Sequence, residues 1–277
     1  MKKLSVVVTT RNEAANIANC LHSFDEVKDD VELIVVDNSS TDDTKAIAAG
    51  LGAVVLNQGP ERCAQRNLGW RTAGAEWVLV LDADMILPEE TIREMLECLN
   101  TGMFECYWIP EVRTGTGIRV KARNFERSFY DGTCIDALRL FKKDVLVETQ
   151  GYDESIIAGG EDWELDIRVL MTGARTAVMC SHLVHNEKNL SFLKMLRKKA
   201  YYARSFDSYK SKHPAHPFVK KQFSAYYRFV GVFVENGKWK KVVAHPVLFA
   251  AVMFERFFVG AVYLFAASLH AFHSGKE

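Results

Sequence analysis

The sequence predicts an α/β fold, a mostly parallel sheet flanked by helices, with a helical appendage behind it. Three observations carry that expectation. Short, wholly apolar, β-branched runs alternate with segments of helical period through the first hundred residues. Acidic residues stand just past the ends of those runs, at the sheet edge where such folds bind ligands. After Glu187 the chain turns basic and then almost wholly apolar.

Each element follows from its residues. Residues 4–9 form the first strand, and residues 14–24 have helical spacing through Ile17, Leu21 and Phe24. A second apolar run ends at Asp37, and Asn38-Ser39-Ser40-Thr41 is a turn and cap cluster. Asp42 and Asp43 are expected in the first turn of the next helix, where the dipole favours them. Residues 53–56 make a third strand, 63–73 a helix and 77–81 a fourth strand. Pro88 sits at the start of a helix leading to Leu99. Residues 106–151 are less regular, with 114–136 expected as loop that sets specificity. Residues 161–171 form a helix and 177–184 a further strand. Residues 192–209 are a basic helical stretch, broken by His213-Pro214-Ala215-His216-Pro217.

Composition limits the class. The 277 residues are 48% hydrophobic and 25% charged, which excludes disordered, collagen-like and disulfide-stapled chains. The length is ample for a sizeable core. Balanced totals of 35 basic and 35 acidic side chains hide an asymmetry. Residues 1–187 hold 19 basic and 31 acidic side chains, a net of −12, whereas 188–245 hold 14 basic against Asp207 and Glu235, a net of +12. Two surfaces with two tasks are implied. Six cysteines stand singly, as reduced, buried thiols do, and Met1-Lys2-Lys3-Leu4 runs straight into a strand. No secretory signal and a cytosolic setting are therefore expected.

The strongest chemical signal is Trp77-Val-Leu-Val-Leu-Asp82-Ala83-Asp84. A buried strand there delivers two carboxylates onto a loop, a common arrangement for Mg²⁺ or Mn²⁺ completed by substrate phosphates. In an α/β pattern this placement outweighs a merely solvated acidic turn.

With that motif in place, the chain resembles the family 2 glycosyltransferases of the GT-A fold. The resemblance rests on Ser5-Val-Val-Val-Thr-Thr-Arg-Asn-Glu13, Val35-Val-Asp37-Asn-Ser-Ser-Thr-Asp42, Gln65-Arg66-Asn67-Leu-Gly69, Leu81-Asp82-Ala-Asp84 and Gly159-Gly160-Glu161-Asp162. These segments occur in the family's order over about residues 4–187. The resemblance implies that the first strand's end (Thr9, Arg11, Glu13) and Asp37 hold the nucleotide, with Asp37 on the base. Capping of the following helix is the alternative role for Asp37. It implies that Arg66 contacts donor phosphate or ribose, that Asp82 touches the ribose or a metal-bound water, and that Asp84 binds the metal. Asp162 would be the base that deprotonates an acceptor hydroxyl, with Glu161 as the next candidate. Gly159, Gly160 and Trp163 would face the acceptor. His185 stands where many relatives place a metal-ligating histidine, with a structural role as its alternative. Cys180, His182 and His185 do not make a tetrahedral zinc site. Thr9 and Gln150 depart from the family, which often has proline at the first position and glycine at the second.

The basic block (Arg197, Lys198, Lys199, Arg204, Lys210, Lys212) interleaves with Tyr201, Tyr202, Phe206 and Tyr209. Together with the apolar tail, it favours an anionic membrane surface or a lipid-linked or glycolipid acceptor over nucleic acid. The tail, from Pro246 to Phe272, is divided by Glu255-Arg256 into pieces shorter than a span. It reads as an interfacial helix or re-entrant hairpin, ahead of a full span or a homo-oligomer contact. The resulting expectation is an inverting, Mn²⁺- or Mg²⁺-dependent transferase using a nucleotide sugar, most simply a UDP-sugar. It would act on the cytoplasmic face of the membrane in cell-surface glycan synthesis, with a catalytic domain over 1–187 and an appendage over 188–277. A sugar-1-phosphate nucleotidyltransferase would need a glycine-rich loop where Thr9-Thr10-Arg11-Asn12-Glu13 stands. Dinucleotide oxidoreduction would need G-x-G-x-x-G there. A catalytically silent membrane scaffold is the non-enzymatic alternative, disfavoured by the intact Asp82, Asp84 and Asp162.

Overall fold

The computed structural model describes residues 2–157, 159–186, 192–203 and 205–274, with side chains described through residue 263. The strands are β1 (Leu4–Thr10), β2 (Val31–Asp37), β3 (Val54–Asn57), β4 (Trp77–Asp82), β5 (Met85–Ile86), β6 (Cys106–Trp108), β7 (Glu111–Arg113), β8 (Leu138–Lys142), β9 (Thr176–Val178) and β10 (Leu183–His185). Among them run helices α1 (Ile17–His22), α2 (Thr44–Gly50), α3 (Arg62–Thr72), α4 (Glu89–Thr101), α5 (Ile118–Arg127), α6 (Lys143–Thr149) and α7 (Glu161–Met171). The C-terminal region adds α8 (Phe192–Ala203), α9 (Phe206–Lys212), α10 (Pro217–Gln222), a π-helical turn (Tyr227–Gly231), α11 (Val232–Val234), α12 (Trp239–Ala244) and α13 (Pro246–Ser274).

A seven-stranded sheet has the order β3-β2-β1-β4-β8-β6-β9, parallel except where β8 pairs with β4 and β6. Every residue of β1 is buried, because both faces are covered. Leu4, Val6 and Val8 enter one core while Val7 enters the other, and β4 divides in the same way. Gly69 lets α3 lie directly on β1: a Cβ there would overlap the Val7 side chain. That close approach carries Arg66 under the carboxyl edge of the sheet.

Several sequence expectations are corrected. Residues 177–184 are two strands in two sheets, with β10 joining β5 and β7 in a separate three-stranded sheet. Residues 114–136 contain helix α5, whose buried Ala122 and Phe125 join a core with Val232, Phe233 and Val252. Helix α2 begins at Thr44, so Asp42 precedes it and accepts from the Ala14 and Thr44 amides at 3.1 Å each. Cys180 is exposed, unlike the buried thiols Cys20, Cys63, Cys106 and Cys134. The basic stretch is two helices, α8 and α9. The expected boundary between Glu187 and Lys188, and also Arg204, lie outside the described residues.

The tail is one continuous helix across Glu255-Arg256. Both charges face inward, 8% exposed each. Arg256 donates to Glu126 at 2.7 Å and to the Tyr130 hydroxyl, while Arg119 donates to Glu255 at 3.1 Å. The pair therefore docks α13 on α5 rather than interrupting it.

Candidate active site

The small sheet builds one half of the site. In it, His185 is opposite Met85 on β5 and beside Arg113 on β7, and the Asn186 amide donates to the Asp84 carbonyl at 2.7 Å. This register places His185 Nε2 3.1 Å from Asp84 Oδ2. Behind the ring, Nδ1 faces Glu111 at 3.8 Å, without a hydrogen bond. Glu111 is held by Arg139 at 2.6 Å and Arg127 at 2.9 Å. Burial pushes the Glu111 carboxyl up, but those two guanidinium groups hold it well below its usual range. Burial lowers the basicity of His185, and Asp84 with Glu111 more than reverses this, raising it to about 9.

An imidazole nitrogen and a carboxylate oxygen so close, with a buried, unbonded second ring nitrogen backed by Glu111, fit a divalent cation. Among the described residues no three His, Cys, Asp or Glu side chains form a metal-holding group.

Asp82 has a different position. Its Oδ1 accepts from Thr9 Oγ1 at 3.0 Å and from Arg66 at 3.3 Å. Burial raises its pKa, but Arg66 and Arg62 pull it far below the ordinary carboxylate value. This arrangement suits the expected contact with ribose or metal-bound water. It also gives Thr9 a function: its hydroxyl orients Asp82, as a proline could not.

Arg66 links the two halves. Its side chain is 1% exposed, Nη1 donates to Asp162 at 2.6 Å, and its guanidinium lies over the Tyr152 ring at 5.0 Å. Arg66 is buried and does not itself line the cavity, so its observed partners are the carboxylates Asp82 and Asp162. Arg62, one turn earlier, lines the cavity instead and pairs with Glu161 at 3.1 Å. Glu161 is 6% exposed in its side chain and Asp162 24%, so Asp162 is the more accessible carboxylate. Burial, reinforced by the charge of Asp162, raises the pKa of Glu161.

The nucleotide residues are partly gathered. Thr9, Arg11 and Glu13 line the cavity. Asp37 is fully buried, and both carboxylate oxygens accept from Ser40, one from its amide at 2.7 Å and one from its hydroxyl. Asp37 thus holds the turn before α2 and does not cap that helix, which begins at Thr44.

Gly159, Gly160 and Trp163 line the same cavity. A Cβ on Gly159 would meet the Tyr202 ring at 3.1 Å, and Gly160 has φ +95° at the cap of α7. These glycines admit Tyr202 and Tyr209 of the C-terminal region. Trp163 donates to the Ile135 carbonyl at 3.1 Å and stacks on Phe206. Gln150 occupies the left-handed cap of α6 at φ 62°, where a glycine is the usual choice. Sequence reasoning missed Arg62, Glu111, Arg127 and Arg139. Only Arg62, at helical spacing from Arg66, left a local signal.

The glycosyl transferase family 2 profile matches residues 5–152. The chain belongs to that family. An uncharacterized glycosyltransferase of Rickettsia prowazekii is 42% identical to this family 2 chain over 102 residues, 36% of this chain and 34% of the relative. The chain thus spans about a third of the length of the first curated relatives it matches. A mannosyltransferase of Pyrobaculum calidifontis, solved with GDP-Man and Mn²⁺, superposes with TM-score 0.64 at 20% identity, covering 96% of this chain and 86% of the other. Glucosyl-3-phosphoglycerate synthase of Mycobacterium tuberculosis, solved with Mn²⁺, UDP and glucosyl-3-phosphoglycerate, gives TM-score 0.52 at 20% identity, covering 73% and 78%. Both likenesses establish the GT-A architecture.

Proposed function

We propose that this family 2 chain transfers a sugar, with inversion, from a nucleotide donor to a lipid-linked or glycolipid acceptor at the cytoplasmic face of a membrane, in cell-surface glycan synthesis. A UDP-sugar is the simplest donor. One observation carries the reading: Asp84 with His185, and Asp162 with Glu161, open onto a single cavity of about 680 Å³. That volume accommodates a nucleotide sugar together with an acceptor group. The structural neighbours solved with Mn²⁺ and nucleotides support the same donor class.

The chemistry follows from the two halves. Asp84 and His185 would hold Mn²⁺ or Mg²⁺, which when bound supplies positive charge beside the donor diphosphate. Arg66 engages Asp162 Oδ1, leaving Oδ2 to receive the acceptor proton. As that proton moves to Asp162, the acceptor oxygen bonds to the anomeric carbon and the bond from that carbon to the diphosphate breaks. The nucleoside diphosphate departs from the face opposite the attack, so the configuration inverts.

Membrane attachment is supported by α13. Its segment Pro246–Tyr263 is long and apolar enough to cross a membrane, and 17% of it is buried. Val247, Phe254 and Phe257 are exposed on it, and Trp239 and Val243 on α12. With α13 docked through Glu255 and Arg256, an interfacial placement fits better than an independent span.

Calorimetry tests the donor half. UDP should bind more tightly with Mn²⁺ than with chelator, and Asp84→Ala should remove that gain. Equal UDP affinity with and without metal in the unaltered protein would refute the assignment.

A further inference from the structure

The cavity extends away from the carboxylates to an end walled by α5, α8, the π-helical turn and α13. Those elements contribute Arg123, Lys199, Arg228 and Arg256 to its lining. Two acids share this end, Glu126 and Glu255, and both are already engaged. Glu126 accepts from Arg256 at 2.7 Å, from Tyr130 at 2.7 Å and from Arg123 at 3.2 Å. Glu255 takes Arg119 at 3.1 Å and Arg123 at 3.8 Å. Among the described residues, no carboxylate pairs with Lys199 or Arg228. The Nη1 atoms of Arg228 and Arg256 are buried without a hydrogen-bond partner. Burial, with Arg123 and Arg228 close by, pushes the Lys199 ammonium down to about 7.

Half-buried cations crowded together, with donors left unbonded, are costly unless an anion completes the group. Guanidinium forks match phosphate geometry, and a lysine adds a point charge. We infer that Arg123, Lys199, Arg228 and Arg256 form a subsite for a phosphate or diphosphate group carried by the acceptor. The inference rests on the transferase reading and names the acceptor's chemical class. A neighbouring feature favours an amphiphile. Helix α13 lines this end of the cavity through Arg256 and Tyr263 while presenting Phe254 and Phe257 outward. A lipid-borne phosphate could enter the subsite while its chain stays along the apolar face.

The test uses the full chain saturated with UDP and Mg²⁺, so that the donor end is filled. Inorganic phosphate and farnesyl phosphate, below its micelle concentration, are titrated by calorimetry. Both should bind, and Lys199→Ala and Arg228→Ala should each weaken them at least tenfold without changing UDP affinity. Arg228→Lys should recover part of the loss, which a folding defect would not allow. Tighter binding of farnesyl phosphate than of inorganic phosphate identifies a lipid-borne group; equal affinities identify a soluble phosphorylated acceptor. Either result requires the Lys199 and Arg228 dependence to support the subsite. Absence of phosphate binding, or affinities untouched by both alanine variants, overturns it. If UDP still binds in a metal-dependent way in that case, only the subsite fails; if UDP does not bind, the transferase reading fails first.

Discussion

The carboxylate end of the cavity is assembled from strand termini of the two sheets and the start of α7, whereas the cationic end is assembled from side chains of α5, α8, the π-helical turn and α13. At the first end, backbone register fixes the geometry: pairing His185 with Met85 leaves Asp84 next to the imidazole. At the second, side chains do the positioning, and 130 residues separate Glu126 from the Arg256 that holds it. Backbone ladders are cooperative and tolerate side-chain change, while a helix docked by a few ion pairs depends on each of them. The proposed chemistry sits at the rigid end, and the proposed acceptor-phosphate subsite at the end built from side-chain contacts. Arg66, between Asp82 and Asp162, ties the two carboxylates together within the rigid end.

The largest effect should come from the rigid end. Asp162→Asn keeps size and can still receive the Arg66 hydrogen bond through its carbonyl, but it loses basicity. Transfer should fall by about 10²–10⁴-fold with UDP affinity retained. Steady-state turnover alongside UDP calorimetry separates these quantities. Near-normal turnover would shift the base to Glu161.

The same division explains what the sequence revealed. The strands β1, β2 and β4 were legible because buried parallel strands are continuous apolar runs, and their ends carry the chemistry. Asp82 and Asp84 consequently stood out, whereas Asp162 and His185 were reached through the family resemblance. Arg66 was found but its surroundings were not, since only the folded contacts show it buried between Asp82 and Asp162. Glu111, Arg127 and Arg139 escaped because their meaning lies in contacts across sheets and helices. Helix α5 was hidden by its polar sequence, Ile118-Arg-Val-Lys-Ala-Arg-Asn-Phe-Glu-Arg127, whose few apolar positions find partners only in the C-terminal region. Glu255-Arg256 looked like a break because the sequence does not show which charges will meet them.

A smaller effect is expected at the helix-built end, and it depends on pH. Burial pushes the Glu126 carboxyl up, but Arg256, Arg123 and Tyr130 together hold it at about 2, below its usual 4.5. The folded form thus binds its proton less readily than the unfolded chain. Its stabilisation is fully present above the unfolded value and declines as pH falls from 4.5 towards 2. The whole contribution is at most about 3 kcal/mol. Denaturant midpoints across that range should fall more steeply for the natural chain than for Glu126→Gln. Identical slopes would mean that the Glu126–Arg256 contact does not dock α13.

The smallest expected effect concerns the outer surface of that same helix, where Phe254 and Phe257 meet the Phe258 ring edge-on but stay largely exposed. Phe254 and Phe257 are 63% and 67% exposed, so replacing them by serine removes little from the fold. Insertion of a phenyl ring into the interfacial region is an apolar gain that salt leaves intact, whereas attraction of the basic block to anionic lipid is screened by salt. The two contributions can therefore be read apart. The natural chain should float with phosphatidylserine-containing vesicles at low salt and remain partly bound at high salt. Phe254→Ser with Phe257→Ser should lower the high-salt partition coefficient at least tenfold, since roughly 1.4 kcal/mol of lost burial is a factor of ten. At low salt the variant should still bind, because Lys198, Lys210 and Lys212 are unchanged. If the variant and the natural chain float equally at high salt, the outer face of α13 does not touch lipid. Its exposed phenylalanines would then be available for a contact between copies of the chain, which light scattering on the same two proteins would detect.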